Sequence, residues 1–124
     1  MIKKIYYYKL VRDKVPEIIE KSGGTAKFKK LTSKQFEKEL LKKVGEESSA
    51  LPAIKSKKEL VGELADIFAV TDEIKKFKKI TEKQIKTAMK ANMDKKGGFK
   101  KKLYLVWSED TGYRTNERKY FKKS

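Results

Sequence analysis

Three segments of this chain open with the same four-residue device, and that repetition constrains the fold more than any other feature. They are Thr32-Ser33-Lys34-Gln35, Ser56-Lys57-Lys58-Glu59 and Thr81-Glu82-Lys83-Gln84. In each, a Ser or Thr side chain and a Glu or Gln three residues later satisfy backbone N–H groups that a helix start leaves without partners. Apolar residues then recur at helical spacing, so helices are predicted at about 33–50, 57–78 and 82–94. Pro52 stops the first and Lys96-Gly97-Gly98 stops the third. A shorter helix is predicted from Pro16 to Lys21, ended by Ser22-Gly23-Gly24. Ile5 to Val11 is β-branched and aromatic, and Thr25 to Leu31 is a connector or short strand. Leu103, Leu105 and Trp107 alternate with Tyr104 and Val106, which predicts a short strand before a polar tail at about 108–124. The expectation is a mainly α fold, a helical bundle with short extended segments at both ends. One domain over residues 1–124 is expected, since ordinary domains run to ~100–150 residues.

The available residue types narrow the chemistry. The 124 residues include no Cys and no His, which removes disulfides, thiolate nucleophiles, imidazole bases, Ser-His-Asp triads and Cys- or His-ligated metals. Catalysis then falls to carboxylates, Lys, Arg, Tyr, Ser or Thr. A metal site must be rich in oxygen, which suits Mg²⁺, Mn²⁺ or Ca²⁺. No run approaches the ~18–20 apolar residues of a membrane span and Met1 to Tyr6 lacks a signal-peptide core, so a soluble cytoplasmic protein is expected.

The formal net charge is +16, from 33 Lys+Arg against 17 Asp+Glu. It is distributed unevenly. Residues 1–36 hold ten basic and three acidic side chains, 37–74 six and nine, 75–102 twelve and two, and 103–124 five and three. One acidic island therefore sits between two basic stretches. Only Arg12, Arg114 and Arg118 are Arg, which is sparse for a protein that grips phosphates or reads bases by bidentate pairing. The lysines are read either as solvated helix faces or as an attraction for polyanions, nucleic acid or nucleotide phosphates.

The acidic island carries a second anomaly. At 100° per residue, Phe36, Leu40, Val44 and Leu51 fall within about 80° of one another, and Glu47 lies about 20° from Phe36, inside that stripe. On the next helix Leu60, Leu64, Ile67, Thr71 and Ile74 define the expected inner face, with Glu63 between Ile67 and Val70 in angle and Asp66 at its edge. A carboxylate on a core face needs a partner. If the two helices pair antiparallel, Glu63 and Asp66 face Glu47, and a divalent cation would neutralise them. The other partners on offer are lysines such as Lys43 or Lys75, and Glu59 is read as no more than a helix cap.

Four motifs in order make the chain recognisable. Lys9-Leu10-Val11-Arg12-Asp13-Lys14-Val15-Pro16-Glu17-Ile18-Ile19 resembles the opening of the MazG-like, phosphoribosyl-ATP pyrophosphohydrolase-like proteins. Lys43-Val44-Gly45-Glu46-Glu47 is similar to their metal-binding helix, Glu63-Leu64-Ala65-Asp66 to their Glu-x-x-Asp element, and Lys96-Gly97-Gly98-Phe99 to their late Gly-Gly-Phe signature. The resemblance spans residues 9 to about 105. It implies an all-α nucleoside triphosphate pyrophosphohydrolase of the house-cleaning type, usually oligomeric, a dimer or tetramer. In it Mg²⁺, or alternatively Mn²⁺, assists water attack on a nucleoside triphosphate, releasing a nucleoside monophosphate and pyrophosphate. By matching position, Glu46, Glu47, Glu63 and Asp66 would be the catalytic, metal-binding cluster.

The sequence departs from the family where Glu-Glu-x-x-Glu is expected, because Glu46-Glu47-Ser48-Ser49-Ala50 ends on alanine. Lys100 also follows Phe99 where family members commonly carry Glu. Lys9, Arg12, Lys14, Lys95, Lys96, Gly97 and Phe99 are candidate triphosphate and base contacts, with a helix C-cap as the other reading of Gly97. The second expectation is a catalytically weakened module that binds nucleotide or nucleic acid through its basic surface. Phosphoribosyl-ATP hydrolysis fits less well, since both terminal signatures resemble the stand-alone MazG-like group more closely.

Overall fold

The computed structural model describes residues 3–112, so the tail from 113 to 124 lies outside the described residues. The chain divides into two compact units, Met1–Lys86 and Thr87–Ser124. Among the described residues the structure is helical, with α1 at Val15–Lys21, α2 at Ser33–Ser49, α3 at Lys57–Lys78 and α4 at Glu82–Lys96. The protein is thus mainly α, as its patterning predicts. None of these helices is long and apolar enough to cross a membrane.

Helix starts lie where the capping chemistry puts them. The Gln35 N–H donates to Thr32 Oγ1 at 3.2 Å while the Thr32 N–H donates to Gln35 Oε1 at 3.0 Å. Thr81 and Gln84 repeat both halves at 3.1 and 2.8 Å. At Ser56 the half formed by the Glu59 N–H and Ser56 Oγ is present at 3.1 Å. Helix ends depend on backbone that turns left-handed. Lys79, with φ of 57°, closes α3 as the Ile80 N–H donates to the Lys75 carbonyl at 2.8 Å. Gly97, with φ of 79°, closes α4 as its N–H donates to the Met93 carbonyl at 2.8 Å. The expected C-cap is therefore Gly97's place in the fold.

In the first unit α2 and α3 form an antiparallel hairpin. A 3₁₀ turn at Leu51–Ala53, containing Pro52, reverses the chain after α2 has already ended at Ser49. The open end of the hairpin is held where α2 begins and α3 finishes. There Phe36 and Phe77 meet edge to face with ring centroids 5.4 Å apart, and Lys78 Nζ lies 2.7 Å from Glu37 Oε1. Leu40 lies in the seam at 6 % exposure, and it alone among the described residues is buried.

Two expectations need correction. Residues 103–107 form no strand, whereas 25–31 is a connector, one of the two readings its sequence allows. A strand exists only against a partner ladder, and no other strand among the described residues offers one. The inner face of α3 also differs from expectation. Leu60 and Leu64 are exposed, while Glu63, Asp66, Ile67, Val70, Ile74 and Phe77 are half-buried. Apolar periodicity marks a wide arc on a helix but does not say which part of it a neighbour covers.

Candidate metal centre

The closed end of the hairpin brings together carboxylates that are remote in sequence. Glu47 comes from the last turns of α2, and Glu63 and Asp66 lie one turn apart near the start of α3. One carboxylate oxygen from each lies within 4.8 Å of the others, and all three side chains are half-buried. Antiparallel pairing is what makes this possible, since it sets the end of one helix beside the beginning of the next.

The electrostatics of the three are unequal. Lys43 Nζ stands 3.5 Å from Glu47 Oε1, and Arg12 Nη2 donates to Asp66 Oδ1 at 3.0 Å. Glu63 lies between these two cation-paired acids. Partial desolvation, a hydrogen bond shared with Glu47 and the charges of Glu47 and Asp66 all raise its pKa above the ordinary value of 4.5. The cation-free cluster therefore favours keeping a proton on Glu63.

That proton gives a pH signature. A group that holds its proton more tightly folded than unfolded makes the folded state bind more protons, so stability falls as pH rises through the raised value. Thermal melts in chelator between pH 4 and 8 are expected to show Glu63→Gln more stable than wild type at neutral pH. The gap should close as pH falls toward 4.5. A gap of constant size would show that Glu63 titrates normally.

The other predicted site residues divide. Glu46 does not join the three. It pairs at 3.2 Å with Lys43, the cation that also stands beside Glu47. Lys75 does not serve Glu63, because it bridges Asp72 at 2.9 Å and Glu82 instead. Arg12 is the only one of the N-terminal cations in a described contact with the acids. Lys9 sits over the Tyr7 ring, 5.6 Å from its centroid, and Lys14 precedes α1 as its N-cap residue. Lys95, Lys96, Gly97 and Phe99 belong to the second unit, where all are exposed and Phe99 is 96 % so.

A pocket of about 550 Å³ opens beside the acids, lined by Ala50, Ala53, Ile54, Glu59, Gly62, Glu63 and Asp66. This lies within the ~300–1,000 Å³ of ordinary small-molecule sites. Ala50 is among its walls, so the carboxylate absent from the sequence pattern is absent from the pocket lining. Ser49 does not replace it, because its hydroxyl donates to the Glu46 carbonyl at 2.7 Å. Glu59 is the residue the sequence reading undervalued. Beyond its backbone role at the Ser56 cap, it is a wall of the pocket, and its position about 40° from Glu63 on the helical wheel was a signal for that.

The fold and the site together define a mainly α protein with a three-carboxylate cluster inside a helical hairpin. In comparisons with known proteins, no family model, curated protein or solved structure matches the chain.

Proposed function

We propose that the protein is a divalent-cation-dependent nucleotide pyrophosphohydrolase, splitting a nucleoside triphosphate into a nucleoside monophosphate and pyrophosphate. The observation that carries this reading is the convergence of Glu47, Glu63 and Asp66 beside an open pocket. The donor set suits a hard cation such as Mg²⁺ or Mn²⁺, being all carboxylate oxygen. It is also a set that repels itself without one, as the raised pKa of Glu63 reflects. When bound, Mg²⁺ supplies Lewis acidity toward phosphate oxygens and lowers the pKa of a bound water, which is chemistry a chain without His otherwise lacks.

The chain's own residues have the remaining tasks. Glu47, Glu63 and Asp66 hold the cation, and the pocket walls between Ala50 and Gly62 receive the nucleotide. Arg12, 69 % exposed at its side chain and paired with Asp66, is placed to serve the phosphates. Its planar fork matches phosphate oxygens. Because Arg12 and a cation draw on the same carboxylate, Arg12→Ala is expected to tighten Mn²⁺ binding about two- to fivefold, the scale of an exposed ion pair. A Mn²⁺ titration followed by paramagnetic resonance measures this, and unchanged or weaker binding would remove Arg12 from the cation's surroundings.

The test of the function is pyrophosphate release from a panel of nucleoside triphosphates with Mg²⁺, wild type beside Glu63→Gln and Asp66→Asn. No release by wild type, or equal release by all three, would refute it. The alanine lining the pocket at position 50 favours one second reading, a module that binds nucleotide or nucleic acid without hydrolysing it. That reading predicts salt-sensitive binding indifferent to Mg²⁺.

A further inference from the structure

The pocket beside the acids has a direction. Glu59, Gly62, Glu63 and Asp66 follow one another at spacings of three, four and seven residues, so one face of α3 forms the pocket floor. Asp66 carries the Arg12 guanidinium at 3.0 Å, and Glu63 joins it in the carboxylate cluster. Glu59 stands ~6 Å along the helix axis from Glu63, one turn further from Asp66. In the turn between them Gly62 leaves the floor bare, since a Cβ added there would meet nothing within 4 Å. Ala50, Ala53 and Ile54 supply an apolar wall.

The Glu59 carboxylate is left free by its own helix start. At the other two capped starts the side chain three residues on, Gln35 or Gln84, accepts from the cap residue's N–H at 3.0 and 2.8 Å. At Ser56 only the other half forms, with the Glu59 N–H donating to Ser56 Oγ. Among the described residues no ion pair or hydrogen bond holds the Glu59 carboxylate, although Lys55, Lys57 and Lys58 are near it in sequence. It is an acceptor without donors in the wall of a pocket.

What it can accept follows from the order of groups in a nucleotide. Phosphate oxygens belong with the cation and Arg12, because beside Glu59 they would meet a carboxylate that nothing neutralises. The ribose is the next group after the α-phosphate, and the base lies further still. Neighbouring 2′- and 3′-hydroxyls offer two donors to the two oxygens of a carboxylate, and hydrogen bonds to a charged acceptor are the strong ones. We infer that Glu59 is the sugar-reading residue of the pocket, accepting from the ribose hydroxyls and selecting ribonucleoside over 2′-deoxyribonucleoside triphosphates. The inference rests on the acids being the phosphate end of a nucleotide site, and it adds the class of sugar taken there.

Isothermal titration with Mg²⁺ and α,β-methylene analogues of the common ribonucleoside triphosphates, beside their 2′-deoxy counterparts, tests this without turnover, because the bond to be split is the one replaced. Wild type is expected to bind the ribo member of its best-bound pair about tenfold more tightly, the scale of one hydrogen bond to a charged group. In Glu59→Ala that ratio should fall toward one. Glu59→Gln, which keeps an acceptor oxygen and loses the charge, should lie between. The ratio is the readout because a folding defect weakens both sugars together. Equal or reversed affinities in wild type overturn the inference, as do a preference undiminished in both variants and a failure of every analogue to bind. Ribo-selective binding without pyrophosphate release from the natural nucleotides would refute hydrolysis and uphold the sugar reading, whereas release with no sugar preference would do the reverse.

Discussion

Glu63→Gln is expected to lower the rate of pyrophosphate release by about 10²-fold or more, with the protein still folded. The size follows from what the side chain contributes. Among the described residues Glu47 is paired with Lys43 and Asp66 with Arg12, while Glu63 has no ion pair, so its charge is the one most available to a divalent ion. Gln keeps the shape and the oxygen but removes the charge. The loss of one anionic ligand weakens both cation retention and the activation of water, and each tenfold in rate corresponds to only ~1.4 kcal/mol of barrier. The same substitution removes the repulsion that raises the Glu63 pKa, so the metal-free variant should be at least as stable as wild type at neutral pH. A variant that is more stable and less active separates function from folding. Loss of activity together with loss of helix would instead assign Glu63 to the core, and undiminished activity would dismiss the cluster as the site. Asp66→Asn should follow the same course, with a further effect because it also frees Arg12.

Leu40→Ala is expected to cost about 2–5 kcal/mol of stability, the range for emptying a buried leucine site. Leu40 is 6 % exposed and occupies the seam of α2 and α3, and no other described residue is buried. Domains are stable by only ~5–15 kcal/mol, so one such loss is a large share of the total. Urea unfolding followed by circular dichroism measures it. Leu41→Ala, one residue on and 53 % exposed, is the matched comparison and should cost far less. Similar costs at both positions would show that the α2–α3 seam is not where the hairpin draws its stability. The site would suffer with the seam, since Glu47 and Glu63 share a location only while the helices remain paired.

The helices were legible because their signals are local. Thr32 and Gln35, or Thr81 and Gln84, are three residues apart and complete their hydrogen bonds whatever the rest of the chain does. The predicted helix at about 33–50 accordingly differs from α2 by one residue at its C-terminal end, and that at 57–78 coincides with α3. The expected strand at 103–107 failed because alternation describes only one side of a ladder. Glu47, Glu63 and Asp66 stood out as acids on an apolar face, so their convergence was legible once antiparallel pairing was assumed. The roles of Glu46, Glu59 and Lys75 were not, because each is settled by a neighbour: Lys43 for Glu46, the 3₁₀ turn's pocket for Glu59, and Asp72 with Glu82 for Lys75.

By itself, then, the sequence determined that this chain is mainly α, where its long helices begin, and that it offers no Cys or His side chain to any site, because caps, periodicity and residue type act over a few residues. Only the tertiary structure decided which arc of α3 meets α2, that Arg12 reaches Asp66 across 54 positions of sequence, and that Leu60, Val61, Leu64 and Phe68 are left outside the hairpin. These depend on how two helices rotate about their axes and where a loop returns. Small differences among competing packings settle that, and no single residue encodes it.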